Sequence, residues 1–127
     1  MKNEYKSYKD KNPYKNRCEE SISIRAKYPN HVPVIIDIGD ESLKLNKYKF
    51  LVPYGTYISY LVYKIRKQLV LESYKGIFLF CDNIMLCNID NIEDIYENYL
   101  IRNKIEKYGD QFLYMRLQSE NVFGNNI

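Results

Sequence analysis

The run Val32-Pro33-Val34-Ile35-Ile36-Asp37-Ile38 limits the fold more than any other segment of this chain. Five of its seven residues are β-branched, a class that fits a pleated sheet and is stiff against the turns of a helix. A strand of this kind cannot stand alone. Neighbouring strands must take its amides and carbonyls, and a second layer must cover its apolar face. The chain has 127 residues in which to supply both, the size of one domain of about 100–150 residues. Pro33 has no amide to give a ladder, which puts this strand at a sheet edge or the proline at its start.

The other elements follow from spacing. Residues 1–12 are polar and lysine-rich, a weak helix or a loose arm. Pro13 suits a first helical turn, and Tyr14–Lys27 reads as a helix with Cys18, Ile22 and Ala26 as its apolar stripe. The helix stops before Tyr28-Pro29, because a residue preceding proline is pushed out of the helical region. After the strand at 32–38, Gly39-Asp40-Glu41 turns the chain. Residues 47–53 alternate as a second strand, ended by Pro53-Tyr54-Gly55 and forming a hairpin with the first. Thr56 is placed to cap a helix over 57–71, in which Ile58, Leu61, Ile65 and Leu69 share one face. Ile77–Cys81 is a third strand, apolar throughout and so central, and Asp82-Asn83 turns the chain. A short helix spans 91–100 and a polar loop 102–110. A last strand spans 111–117, with a polar tail over 119–127. After the first helix the order is ββαβ(α)β. That is an α+β fold of the ubiquitin-like β-grasp type: a four-stranded mixed sheet with a crossover helix, preceded by one or two N-terminal helices.

Composition excludes several functions. No apolar run approaches the roughly 20 residues of a bilayer span, and the polar N-terminus is no secretory signal. Three cysteines without a paired spacing argue against a disulfide framework or a zinc site, and a reducing, cytosolic setting fits them. His31 has no carboxylate or thiol at a readable spacing. Asp90, Glu93, Asp94 and Glu97 form an acidic helix face without the ligand spacing of a calcium loop. Gly39, Gly55, Gly76 and Gly109 are isolated and cradle no phosphate. No enzyme activity, cofactor or metal is expected. The net charge of +3 divides unevenly: residues 1–27 carry +4, residues 28–81 carry +3 and residues 82–127 carry −4. The first two-thirds therefore attract acidic partners.

Particular strings then become recognisable. The stretch from Ile24 through Tyr28-Pro29-Asn30-His31-Val32-Pro33-Val34-Ile35 resembles the start of the ubiquitin-like autophagy modifiers of the GABARAP and light-chain-three family. Lys47-Tyr48-Lys49-Phe50-Leu51-Val52-Pro53 is similar to that family's second strand. Ile65-Arg66-Lys67 is similar to its helix, and Ile77-Phe78-Leu79-Phe80 with Asp82-Asn83 to its third strand and turn. Phe112-Leu113-Tyr114-Met115 and Ser119-Glu120-Asn121-Val122-Phe123-Gly124 resemble its last strand and terminus. The matches run in order from about Arg17 to Gly124. The chain also departs from the family. Its first turn is shorter, its loop has extra residues at 103–108, Met85-Leu86-Cys87 replaces a pair of prolines, and Lys64 stands where an apolar residue is usual.

The resemblance implies an N-terminal helical arm over 1–27, a ubiquitin-like core over 28–124 and a tail, 125–127, that a cysteine protease removes after Gly124. Activating and conjugating enzymes would then join Gly124 to phosphatidylethanolamine. A glycine there lets the backbone thread a narrow enzyme channel. The modifier would be cytoplasmic and, after lipidation, bound to autophagosomes or other vesicles. The resemblance also implies that receptors and adaptors with an aromatic-x-x-aliphatic motif add as a strand to 47–52. The aromatic side chain would enter a pocket of Glu20, Ile24, Pro33, Lys49, Leu51 and Phe112. The aliphatic one would enter a second pocket of Phe50, Val52, Pro53, Leu61 and Ile65. Arg25, Lys27 and Lys47, with Lys49, would attract acidic flanks. A monomer without nucleic acid is expected. On spacing alone Gly124 is an ordinary glycine near a terminus, and Ile24, Leu51 and Phe112 are plain core. The alternative function is a non-conjugated ubiquitin-like adaptor that only binds peptides, acting at an organelle other than the autophagosome. A basic RNA-binding domain is a third, and a lipid-facing basic arm at 2–27 is the alternative to a packed N-terminal helix.

Overall fold

The computed structural model describes residues 6–39, 43–69 and 75–120. Two short N-terminal helices, α1 (Tyr8–Lys11) and α2 (Tyr14–Lys27), precede strands β1 (His31–Ile38) and β2 (Lys49–Pro53). Helix α3 (Ile58–Arg66), strands β3 (Ile77–Cys81) and β4 (Ile84–Met85), helix α4 (Ile92–Arg102) and strand β5 (Leu113–Ser119) follow. The sheet has five strands in the order β2-β1-β5-β3-β4. β1 and β5 run parallel at its centre, and the remaining neighbours are antiparallel. This is the expected β-grasp with N-terminal helices. Its fifth strand was not expected, and β5, not β3, occupies the middle.

Alternation sets the two faces. Val32, Val34 and Ile36 of β1, Phe50 and Val52 of β2, Ile77 and Leu79 of β3 and Leu113, Met115 and Leu117 of β5 point to one side. They pack there with Ile58, Leu61 and Ile65 of α3 and Ile92, Ile95, Tyr96 and Tyr99 of α4. Ile35 points to the other side, where Tyr8 and Phe112 complete a smaller core against Ile24. β1 is thus buried on both faces, which is why its run is nearly all apolar.

β1 is an interior strand, and Pro33 is accommodated differently from the expected edge. Ile36 donates its amide to Tyr48 on the β2 side, so the odd residues of β1 turn toward β5. That ladder begins at the Val34–Leu113 pair, and Pro33 lies just beyond it, where a missing amide costs no hydrogen bond.

Thr56 does not cap α3. The N-cap is Tyr57, with no side-chain cap, because two helix starts satisfy each other through the backbone. Ile58 donates to the Asp90 carbonyl at 2.9 Å and Ile92 donates to the Thr56 carbonyl at 2.9 Å. α3 also ends before the expected residue 71; residues 70 and 71 lie outside the described residues. The last strand begins at Leu113, not 111, because side chains take the preceding backbone. The Gln111 amide donates to Ser21 Oγ, the Tyr96 hydroxyl donates to the Gln111 carbonyl and the Phe112 amide donates to the Asp110 carboxylate. Asp110 also pairs with Arg17 of α2 at 2.9 Å, both side chains being largely buried, and accepts the Tyr114 hydroxyl. This node fixes α2 across the sheet and sets the position of the groove described next.

Candidate functional site

β2 lies at the sheet edge with β1 as its one neighbour in the sheet. Its even residues turn their backbone groups to β1, as Tyr48 does toward Ile36, so Lys49 and Leu51 turn theirs outward. Lys47 is already engaged: its amide donates to Gln68 Oε1 at 2.8 Å and its carbonyl accepts Gln68 Nε2 at 3.0 Å. At the other end the Pro53 carbonyl accepts the Thr56 amide. The outward-facing edge is therefore short, the amides and carbonyls of Lys49 and Leu51, which suits an added segment of about four residues. Gly55, at φ +88 in the turn after β2, takes a conformation that favours glycine.

A cavity flanks each side of this edge. On the α2 side, about 260 Å³ is lined by Ile24, Pro33, Lys49, Leu51 and Phe112, together with Tyr28, Val34, Lys47 and Phe50. On the α3 side, about 280 Å³ is lined by Phe50, Val52, Pro53 and Leu61, together with Lys47, Leu51, Thr56, Tyr60 and Lys64. Leu51 belongs to both and is 38% exposed, an apolar ridge between two hollows.

Two residues expected in these pockets stand elsewhere. Ile65 is 0% exposed and belongs to the main core, not to the second cavity. Glu20 does not line the first cavity but closes its rim: one carboxylate oxygen takes Lys49 Nζ at 2.6 Å and the other accepts the Tyr8 hydroxyl at 2.9 Å. Burial works against the Lys49 charge, but Glu20 and Tyr8 outweigh it and hold its pKa above the ordinary lysine value. Arg25 stacks over Tyr96 at 5.0 Å, Lys27 lies 5.4 Å from the Tyr28 ring and Lys47 lies 5.1 Å from the Phe50 ring.

Sequence reasoning missed Tyr28, Tyr60 and Tyr8. Tyr28 sits at the helix stop that Pro29 announces. Tyr60 lies four residues before Lys64, so the two share a helix face beside the apolar stripe. Tyr8 is 5% exposed and meets Phe112, a wall of the first cavity, edge-on at 5.7 Å. Its signal was the capping box of Ser7 and Asp10 that starts α1.

His31 and Cys81 are placed for structure. His31 opens β1 with its ring edge-on to Tyr28. Cys81 is 1% exposed, and burial pushes its thiol up to about 11, away from a nucleophile's range. Among the described residues no group of three or more His, Cys, Asp or Glu is placed to hold a metal. None of the helices among them is long and apolar enough to cross a membrane. Gly124 and the tail 125–127 lie outside the described residues.

Comparison with known proteins points the same way as the geometry. Residues 16–124 match the family described as autophagy protein Atg8, ubiquitin like. Autophagy-related protein 8b of Arabidopsis thaliana is 38% identical over 126 residues, 98% of each chain. Autophagy-related protein 8 of Coccidioides immitis is 35% identical, covering 93% of this chain and 97% of its own. Among solved structures, Trypanosoma brucei ATG8 superimposes with a TM-score of 0.77 at 27% identity, over 92% of this chain and 97% of its own. Plasmodium falciparum Atg8, solved in complex with a Plasmodium falciparum Atg3 peptide, superimposes with a TM-score of 0.74 at 31% identity, over 90% of this chain and 96% of its own.

Proposed function

This chain belongs to the Atg8 family of ubiquitin-like autophagy proteins, and on that premise we propose that it is a lipid-conjugated modifier that recruits peptide-bearing partners through β2. A protease removes residues 125–127, and activating and conjugating enzymes join Gly124 to phosphatidylethanolamine on autophagosomal or other vesicle membranes. The family match ends on Gly124, which supports that glycine as the point of attachment. A relative solved with an Atg3 peptide supports a groove that takes segments of the conjugation enzymes as well as of receptors. Anchoring through a covalent lipid also suits a chain whose described helices are too short or too polar to span a bilayer.

The observation that carries the groove is the pair of cavities on opposite faces of one open edge. A segment that extends the sheet alternates its side chains between those faces. Residues three apart have opposite parity, so the aromatic and aliphatic anchors of an aromatic-x-x-aliphatic motif enter different cavities. The pockets supply apolar burial and the Lys49 and Leu51 backbone supplies direction and register.

Titration of a labelled aromatic-x-x-aliphatic peptide tests this reading. Leu51 touches both cavities, so Leu51→Ala is expected to weaken binding about tenfold, within the range for losing a large buried side chain at an interface. Leu51 is half-exposed in the free protein, so the melting temperature should move little. Unchanged affinity in Leu51→Ala would overturn the groove.

A further inference from the structure

The sheet has a second edge, at β4, with a cavity beside it. About 310 Å³ lies between β4 and α4, floored by Cys81 and Ile95 and walled by Ile84, Leu86 and Ile89. Ile84 is 50% and Ile89 83% exposed, apolar side chains grouped around one hollow rather than scattered. Cys81 pairs with Ile84, and the Leu86 amide donates to the Leu79 carbonyl, so the backbone of Met85 between them turns away from β3. At the start of α4 the cavity is lined by acceptors. Asp94 has no cation within ion-pair distance among the described residues. Asp90 holds the Cys87 amide with one carboxylate oxygen at 2.9 Å. Asn91 is the N-cap, yet its side chain makes no capping bond and its buried Oδ1 has no partner among the described residues, where an N-cap oxygen ordinarily accepts an amide of the first turn. The far end differs, because Asp82 already holds Arg102 there at 2.8 Å.

Beyond the β2 groove, we propose that this cavity docks an extended partner segment that carries an arginine. Laid along β4, such a segment meets the outward backbone of Met85 and sends every second side chain over the cavity. The stem of the arginine covers Ile89 and Ile95, and its guanidinium meets Asp94, Asp90 and Asn91 Oδ1. Two carboxylates outweigh the roughly half positive charge at the helix start. An aliphatic side chain in the same place would leave these acceptors without water or donor, and an acidic one would be repelled. The segment binds at the opposite edge of the sheet from β2 and needs neither the groove there nor attachment through Gly124.

Titration of the full chain with a capped Thr-Leu-Arg-Leu-Thr peptide, followed by amide chemical shifts, tests this. Shifts are expected at Met85, Asp94 and Ile95 and not at Lys49 or Leu51. Replacing the arginine by citrulline, its neutral isostere, should weaken binding about three- to tenfold, the range for partly exposed charge pairs acting together. In Asp94→Asn that arginine-to-citrulline ratio should fall below about twofold, and raising the salt concentration should lower it too. Asp94 is exposed, so Asp94→Asn should fold as the parent does. Glu19→Gln, on α2, should leave the ratio intact, and so should Leu51→Ala, which removes the ridge of the β2 groove. Equal affinity for the two peptides, a ratio that survives Asp94→Asn, shifts confined to Lys49 and Leu51, or no shift at millimolar peptide would each overturn the proposal while the β2 reading stands.

Discussion

At the scale of single residues, two buried phenols, a half-buried one and a buried thiol make the fold sensitive to alkali. Burial holds Tyr99 and Tyr114 above the ordinary tyrosine pKa, and the bond to Asp110 raises Tyr114 further. Burial also pushes Tyr96 up to about 12 and Cys81 up to about 11. All four stay neutral in the folded chain while the unfolded chain releases their protons from about pH 9 for the thiol and pH 10 for the phenols. Their contribution is thus complete below those values and is lost as pH rises toward the folded ones. Urea unfolding should give a stability that is level from pH 7 to about 9 and falls by roughly 1 kcal/mol per group by pH 11. Equal stability at pH 7 and pH 11 would contradict the burial of these groups. Their environments were only partly legible in the sequence. Cys81 closes an apolar strand and reads as buried. Tyr114 depends on Asp110 and Arg17, two residues 93 apart in the chain, and no local pattern reports such a meeting. The depth of Ile65 was hidden for a related reason: helical spacing gives a face, not the depth at which that face is buried.

At the scale of elements, the starts of α3 and α4 are held by backbone bonds and not by side-chain caps. α4 closes with a reciprocal pair of bonds: Lys104 donates to the Ile101 carbonyl and Ile105 to the Leu100 carbonyl. This motif needs a left-handed residue, and Lys104 fills it at φ 52 where glycine is usual. Lys104→Gly should therefore stabilise the protein by about 0.5–1 kcal/mol, the relief of left-handed strain less the entropy that glycine gains in the unfolded chain. A lower urea midpoint in Lys104→Gly would contradict this account of the loop. α2, whose bounds Pro13 and Pro29 set, and β3, a compact apolar run, were legible from sequence alone. β4 was not. Two residues carry no periodicity, and the sign of a hairpin was Asp82-Asn83, both at positive φ, as a tight two-residue turn requires. The start of α3 was misread because its donors are met by the Asp90 and Asn88 carbonyls, which sequence places some thirty residues away.

At the scale of the whole molecule, the sheet ends in β2 on one side and in the short β4 hairpin on the other. The acidic charge of residues 82–127 includes Asp82, Asp90 and Asp94 around β4 and α4, while the groove between α2 and α3 is rimmed by lysines. Under the proposed function, this polarity steers an acidic segment toward β2 before contact is made. The order of strands and helices was enough to recognise the fold. The pockets needed the structure, because each joins residues from two or three separate elements. Under the proposed function this surface is carried to membranes through Gly124. Intact-mass spectrometry of the chain recovered from membranes of starved cells reads that attachment. The expected species lacks Asn125, Asn126 and Ile127 and bears the mass of phosphatidylethanolamine at Gly124. An unmodified chain of 15.3 kDa, found mainly off membranes in the same cells, would contradict it.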